Sequence, residues 1–498
     1  MFTEQDLKSF EAKGISLERA EWQLKQFTNG VKPIHLIAPA TDKKGISILD
    51  NIDKYIEKLK NSEVSYTKFV PASGAASRMF KDLFEFRETY KSEGSEAGEL
   101  SVFIQNFFTN IKRFAFCNDL NVLLKDKGGI EAYIQKKMYV EILDTLLDDS
   151  GLAYGSLPKG LLKFHYYAGN IGRTPFEEHL VEGAKYAKSS DGTVNLHFTV
   201  SSEHMTLFNK LKDTILSKYE DMYSVKYRIS FSVQKPSTDT MAVTDKNTPF
   251  YDNDGSILFR PGGHGALIEN LNELDSDIIF IKNIDNVVPE KKIENTAKVK
   301  KALAGFVLEI QQSIFSLIKD LTDEATDANL IKAKEFISDV LCIEGFDASS
   351  TEGMIEILDR PLRVCGMVKN EGEPGGGPYL IKDSNGMISP QVVESSQVDM
   401  SDQMQEGIFK EATHFNPVDL VCAVKDKDGK KYDLTKYVDE STCFISHKSK
   451  DGKNLKALEL PGLWNGAMAN WNTVFVEVPA STFNPVKNVN DLLREAHQ

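Results

Sequence analysis

The chain has 498 residues, with 59 Lys plus Arg against 73 Asp plus Glu, a formal net charge of −14. Hydrophobic residues are 41% and charged residues 27%, a balance that supplies a core and excludes a disordered or fibrous chain. The acidity excludes a nucleic-acid polymer as main partner, because phosphate backbones are held by basic surfaces. A small phosphorylated ligand needs only a local cluster of cations. The length predicts two to four domains.

Five cysteines, Cys117, Cys342, Cys365, Cys422 and Cys443, show no CxxC spacing. An odd, scattered set fits reduced thiols better than a disulfide framework. The first residues are polar and charged, unlike a signal peptide. The longest apolar runs, such as IIFI and ALAGFVLEI, fall short of the roughly 18–20 residues of a membrane span. A cytoplasmic protein without a membrane partner is expected.

In chain order, residues 1–65 read as a helical region, with apolar positions at helical spacing through Leu17, Trp22, Leu24 and Phe27. Residues 66–71 (YTKFVP) read as a strand entering the small-residue turn ASGAAS, with a helix starting near Arg78. Residues 80–155 read as a helical insertion. Strand-like segments follow at 196–200, 228–233, 257–260 and 277–284, separated by helical stretches. That alternation predicts an α/β core over 66–345 around a largely parallel sheet. Residues 346–498 are strand-rich (LRVCGMV, QVVESSQ, DLVCAV, TVFVEV) and are expected to complete the same site. A loop with three consecutive glycines, 375–377, lies between the first two of these.

Six segments could carry chemistry. In ASGAASRMFK, small residues let backbone N–H groups approach a phosphate, and Arg78 and Lys81 add charge. Pro158-Lys159-Gly160 puts a lysine in a tight loop before an apolar strand, where it can neutralise phosphate. Gly262, Gly263 and Gly265 around His264 permit close approach to a base or phosphate. Asp285 ends an apolar strand, at the sheet edge where α/β proteins place ligands, and suits Mg²⁺ held with water and substrate phosphates. Glu394 ends QVV and can accept from sugar hydroxyls, and Lys487 sits in the Pro-restricted segment TFNPVKN. Singly, each also reads as an ordinary turn, cap or surface strand. No P-loop, GxSxG elbow, HExxH or zinc spacing is present.

Taken in order, these segments resemble the UDP-sugar pyrophosphorylases, the nucleotidyltransferases that include the UDP-N-acetylglucosamine and UDP-glucose pyrophosphorylases. The family's GGxGTRxG loop has its counterpart in residues 73–80, SGAASRMF. Its PKG is similar to Pro158-Lys159-Gly160, its TSE segment to HFTVSSEH at 197–204, and its glutamine, proline and DG turn to Gln234, Pro236 and Asp254-Gly255. PxGNGG resembles PGGHGA at 261–266, VDN resembles Ile284-Asp285-Asn286, and VVEYSE resembles VVESSQ at 392–397. NHFF resembles Thr413-His414-Phe415-Asn416, and FSPLKN resembles 483–488. The nine matches are collinear over 73–488.

The resemblance implies a Rossmann-like nucleotide-diphospho-sugar transferase fold (GT-A-like), a mixed sheet flanked by helices. It implies a sugar-1-phosphate nucleotidyltransferase, with UMP transferred from UTP, pyrophosphate released and Mg²⁺ required. Arg78, Lys159 and Lys487 would act catalytically. Ser73, Gly74, Ala75, Gln234 and Gly263 would hold the nucleotide, His264, Glu394 and Asn416 the sugar, and Asp285 the metal. The sequence departs from the family at Ser73 and Ala76, which stand for glycines, at Ser77, which stands for threonine, and at His264, which stands for asparagine. A catalytically weak nucleotide-sugar or phosphosugar binding protein on the same fold is the alternative. A glycosyltransferase would carry a DxD motif, and none stands at Asp285.

Overall fold

β-Branched and aromatic runs form the strands, and the strands carry their sequence neighbours into place. The computed structural model describes residues 2–93, 99–372 and 376–498. The strands Tyr66–Pro71, Thr193–Thr199 and Lys226–Ser232 are neighbours in one run of sheet, and a second run has the order Ile46–Ser47, Asn472–Glu477, Leu362–Lys369, His414–Ala423, Ile278–Lys282. It is mixed: Leu362–Lys369 runs parallel to Asn472–Glu477 and antiparallel to His414–Ala423. Helices flank it, so the chain is an α/β protein of the expected class. Residues 1–65 hold three helices and also the strands His35–Pro39 and Ile46–Ser47.

The contacts divide the chain into two compact units. The first comprises residues 1–67, 232–281 and 300–480, and the second 68–231, 282–299 and 481–498. In the first, the antiparallel strands His35–Pro39, Gly377–Lys382 and Ile388–Val393 form a three-stranded sheet. Part of the predicted glycine loop, 373–375, lies outside the described residues.

In the second unit, the helices within 80–155 have their own core. Phe107, Phe108, Phe114, Phe116 and Leu146 pack in one cluster with Ala76, Met79 and Phe80 from the turn after the first strand, and with Val486, Val489 and Leu492. The inserted helices therefore buttress both the 73–78 loop and the 486–487 segment. A second cluster joins Val70, Ala72, Phe176, Phe198, Phe208 and Ile284.

The helix Pro175–Tyr186 starts with a capping box: Thr174 Oγ1 accepts from Glu177 N–H, and the Glu177 carboxylate accepts from Thr174 N–H. Nearly all of it is buried, including Glu178, His179 and Glu182. Glu182 lies between two buried lysines. Lys68 Nζ donates to one of its oxygens at 2.6 Å and Lys282 Nζ to the other at 2.7 Å. Tyr186 Oη adds a third bond at 2.9 Å. Burial pushes the Lys68 ammonium down to about 7, against the pull of Glu182.

Among the described residues one helix, Glu290–Asp323, is long and apolar enough to cross a membrane by length and composition, although no uninterrupted apolar run of that length exists. Charged residues break the run but leave the helical face apolar. Within the protein 56% of that window is buried, as in a core helix. Its Lys300 forms an ion pair with Asp419, both buried.

Candidate functional site

Four of the predicted phosphate-handling segments converge in the second unit. The strand Tyr66–Pro71 ends at the loop 72–75, which continues as the 3-10 turn Ala76–Phe80 and the helix Lys81–Glu93. Ala75 and Pro158 form an antiparallel bridge. Lys159 N–H donates to Gly74 O at 3.3 Å, and Ala76 N–H to Leu157 O at 3.2 Å. The loop and the PKG turn are thus zipped together by backbone. Ser73, Gly74, Ala75, Ser77 and Arg78 are exposed.

Lys159 Nζ donates to Asp285 Oδ2 at 2.7 Å and to Val486 O at 2.7 Å. One ammonium thereby ties together residues 126 and 327 positions away in sequence. The two side chains of the pair are 16% and 17% exposed. The neighbouring Lys487 is exposed, and its backbone N–H donates to Asp491 at 2.7 Å. Asn286 Oδ1 accepts from Asn484 N–H at 2.8 Å, pinning the 284–286 turn to the 483–488 segment. His179 adds a 3.1 Å bond to Ile284 O.

The sequence departures in the loop read differently in three dimensions. Ala76 is buried in the apolar cluster, so its methyl group points into the core and not into the phosphate loop. A Cβ on Gly74 would meet open space. Gly160 is a packing glycine, because a Cβ there would come within 3.0 Å of the Phe208 ring.

Among the described residues no three His, Cys, Asp or Glu side chains gather as a metal cluster. One hard carboxylate, Asp285, stands beside an ammonium. That donor set fits a magnesium ion whose remaining ligands are substrate phosphates and water, and not a resident ion in a protein cage.

The predicted base- and sugar-facing residues lie in the first unit. Gln234 Nε2 is a buried donor with no partner, a vacancy that a carbonyl acceptor would satisfy. Lys235 turns away to Glu269 and Glu273, at 3.4 and 2.7 Å. The glycine loop divides by role. A Cβ on Gly262 would lie 2.5 Å from Thr238 O, and one on Gly265 only 2.0 Å from Pro461 O, so both serve close packing within the chain. Gly263 has φ +77°, with only the Glu459 side chain near, and is the least crowded of the three. Asp254-Gly255 is an exposed turn, with Gly255 at φ +79°.

His264 is nearly buried between two neighbours. Leu463 N–H donates to its Nδ1 at 3.0 Å, and its ring stacks on Trp464. Burial pushes His264 down to about 4, with Glu459 pulling weakly the other way. The neutral ring then carries its proton on Nε2. Because the folded value lies below the unfolded one near 6.5, stability from this site is present above pH 6.5 and is lost as pH falls through 6.5 towards 4. The His264→Asn variant is expected to lack this loss. Between pH 7 and 5 the wild type should lose about 2 kcal/mol more than the variant, as read from urea unfolding at both pH values.

Glu394 follows the strand Ile388–Val393, and the rest of VVESSQ is a 3-10 turn rather than strand. Burial pushes its carboxyl up; a hydrogen bond from Trp464 opposes this, and Glu459 reinforces it. Asn416 behaves differently from the sequence reading. Its Oδ1 accepts from Val418 N–H at 3.0 Å and holds Val418 at φ +59°, an uncommon conformation for a β-branched residue. Asn416 therefore supports a bulge in the strand His414–Ala423. Trp464 was outside every motif; its signal in the sequence is limited to a Pro-Gly-Leu-Trp turn.

Solved structures give similarities along nearly the full length. A UDP-glucose pyrophosphorylase from Leishmania major in complex with UDP-glucose is 13% identical, with 99% of this chain and 79% of that chain covered and a TM-score of 0.44. A UDP-glucose phosphorylase from Trypanosoma brucei is 13% identical, with 98% and 77% covered and a TM-score of 0.42. No curated protein sequence matches. The family model for a domain of unknown function, DUF4301, matches residues 3–498, and the chain belongs to that family.

Proposed function

We propose that this chain is a nucleotidyltransferase that joins a nucleoside triphosphate, UTP in the first instance, to a sugar 1-phosphate and releases pyrophosphate. The observation that carries the reading is the Lys159 ammonium, shared between Asp285 and the Val486 carbonyl at 2.7 Å each and bound by its own backbone to Gly74. Three remote segments with the residue types of polyphosphate chemistry meet at one cation.

In this reading the exposed backbone of Ser73, Gly74 and Ala75 takes phosphate oxygens, and Arg78, Lys159 and Lys487 offset their charge. Asp285 would hold Mg²⁺, which when bound supplies charge neutralisation to the phosphates. The sugar phosphate oxygen attacks the α-phosphorus in line, and the bond to the pyrophosphate oxygen breaks. Alignment and charge are what the protein contributes, and no side-chain nucleophile is needed. Lys159 would exchange its intramolecular carboxylate for a phosphate oxygen. The unpaired Gln234 amide supports a base contact, and Gly263 a close approach to it. Glu394 and His264 would take sugar hydroxyls.

Incubation with Mg²⁺, each of the four nucleoside triphosphates and a panel of hexose 1-phosphates tests this directly. Pyrophosphate release with at least one pair, strongest with UTP, is the expected result. Stabilisation by nucleotide with no release from any pair would instead support the binding-protein reading.

A further inference from the structure

Two of the sugar-facing candidates share a neighbour that no sequence motif includes. The His264 and Trp464 rings are stacked, with centroids 4.2 Å apart and planes 18° from parallel. Glu394 lies next to Trp464: Gln397 Oε1 accepts both from Glu394 N–H at 2.9 Å and from the side chain of Asn465, the residue after Trp464, at 3.4 Å. The Trp464 backbone is anchored. Its carbonyl accepts from Arg363 Nη1 at 2.7 Å, and the fully buried Arg363 is itself fixed by Thr473 Oγ1 at 2.8 Å and Gln391 Oε1 at 3.2 Å. The next residue, Asn465, is buried and donates to Val392 O at 3.0 Å, on the strand that leads to Glu394. Trp464 itself stays only partly buried.

A fixed aromatic ring beside an acceptor-only carboxylate is a combination with specific chemistry. The ring offers an apolar face at little entropic cost, and the carboxylate accepts from hydroxyl groups. A pyranose matches both, since one face of its ring is C–H and its rim is hydroxyl. A phosphate does not match, because Glu394 and Glu459 would repel it.

We infer that Trp464 is the specificity-determining platform for the sugar: a hexopyranosyl ring stacks on the indole while its hydroxyls donate to Glu394. This rests on the nucleotidyltransferase reading and names the part of the ligand that Trp464 selects. Sugars with a continuous C–H face are favoured over those with an axial group on that face.

The test uses the full chain, with UDP, UDP-glucose, UDP-N-acetylglucosamine and UDP-mannose as probes, and the variants Trp464→Phe and Trp464→Leu. Intrinsic tryptophan fluorescence and calorimetric affinity are both read. UDP-glucose is expected to quench emission more than UDP does, and that difference is expected to vanish in Trp464→Phe. Trp464→Leu should weaken UDP-glucose at least tenfold and leave UDP within twofold, whereas Trp464→Phe, which keeps a ring, should retain most of the affinity. Equal quenching by UDP and every UDP-sugar, or equal weakening of both by the leucine variant, overturns the platform. Wild-type protein that binds neither UDP nor any UDP-sugar overturns the nucleotidyltransferase reading itself, and the platform with it. Should the leucine variant fail to fold, the phenylalanine variant and the wild-type quenching still decide.

Discussion

Replacement of Asp285 by alanine is expected to lower turnover by about 10²–10³-fold or more, with Lys159→Ala in the same range. The two act on opposite charges of one arrangement. Among the described residues Asp285 is the single carboxylate beside the Lys159 ammonium, and Lys159 is the cation that the 73–78 loop, the 284–286 turn and Val486 share. In the proposed reaction, removal of Asp285 takes away the hard oxygen suited to Mg²⁺, and removal of Lys159 takes away charge opposite the developing phosphate charge. The double variant should cost little more than either single one, because in the proposed reaction both residues serve the same transition state. Asp285→Asn should also raise the Mg²⁺ concentration needed for half-maximal rate, which a purely structural role would not do. Turnover near the wild-type level in Asp285→Ala would remove the metal assignment.

The second large effect concerns stability. Glu182→Gln is expected to destabilise the protein by about 3–5 kcal/mol at pH 7, measured by urea unfolding. The substitution keeps the shape and removes the one negative charge between Lys68 and Lys282, both buried. Lys68→Met should cost much less. Lys68 already sits near neutrality, pushed down to about 7 by burial, and its removal leaves Glu182 paired with Lys282. Simultaneous replacement of all three by apolar residues of similar volume should recover most of the loss, as with other buried ion pairs. The cluster lies on the strand that runs into the 72–78 loop and on the strand that runs into Asp285. A loss larger for Lys68→Met than for Glu182→Gln would reverse this account of the charges.

How much of this was legible beforehand varies by residue. The strand over 66–71 was predicted with the bounds it has, because five of its six residues are buried and apolar or β-favouring residues dominate there. The strand Gly377–Lys382 carries a glycine, a proline and a lysine, and its sequence gives little sign of it; pairing with Ile388–Val393 and His35–Pro39 makes it. Residues 1–65 read as helical because helical spacing is easy to see. The short strands His35–Pro39 and Ile46–Ser47 depend on partners far along the chain, and local pattern is silent about such partners.

The sequence by itself determined the α/β class, the net charge of −14, and the order of the loop, PKG, Asp285 and TFNPVKN segments. These depend on residue type and periodicity, which are local properties. Only the tertiary structure decided what each residue faces. It turned Ala76 into the core, spent Gly262 and Gly265 on packing, committed one oxygen of Asn416 to Val418, and buried Lys68 and Lys282 around Glu182. It also stacked Trp464 on His264, across 200 residues of sequence. The physical reason is common to all of them. Whether a methyl group blocks a phosphate, or a lysine is solvated, depends on neighbours brought in by sheet pairing and core packing, and one-dimensional order does not encode those distances.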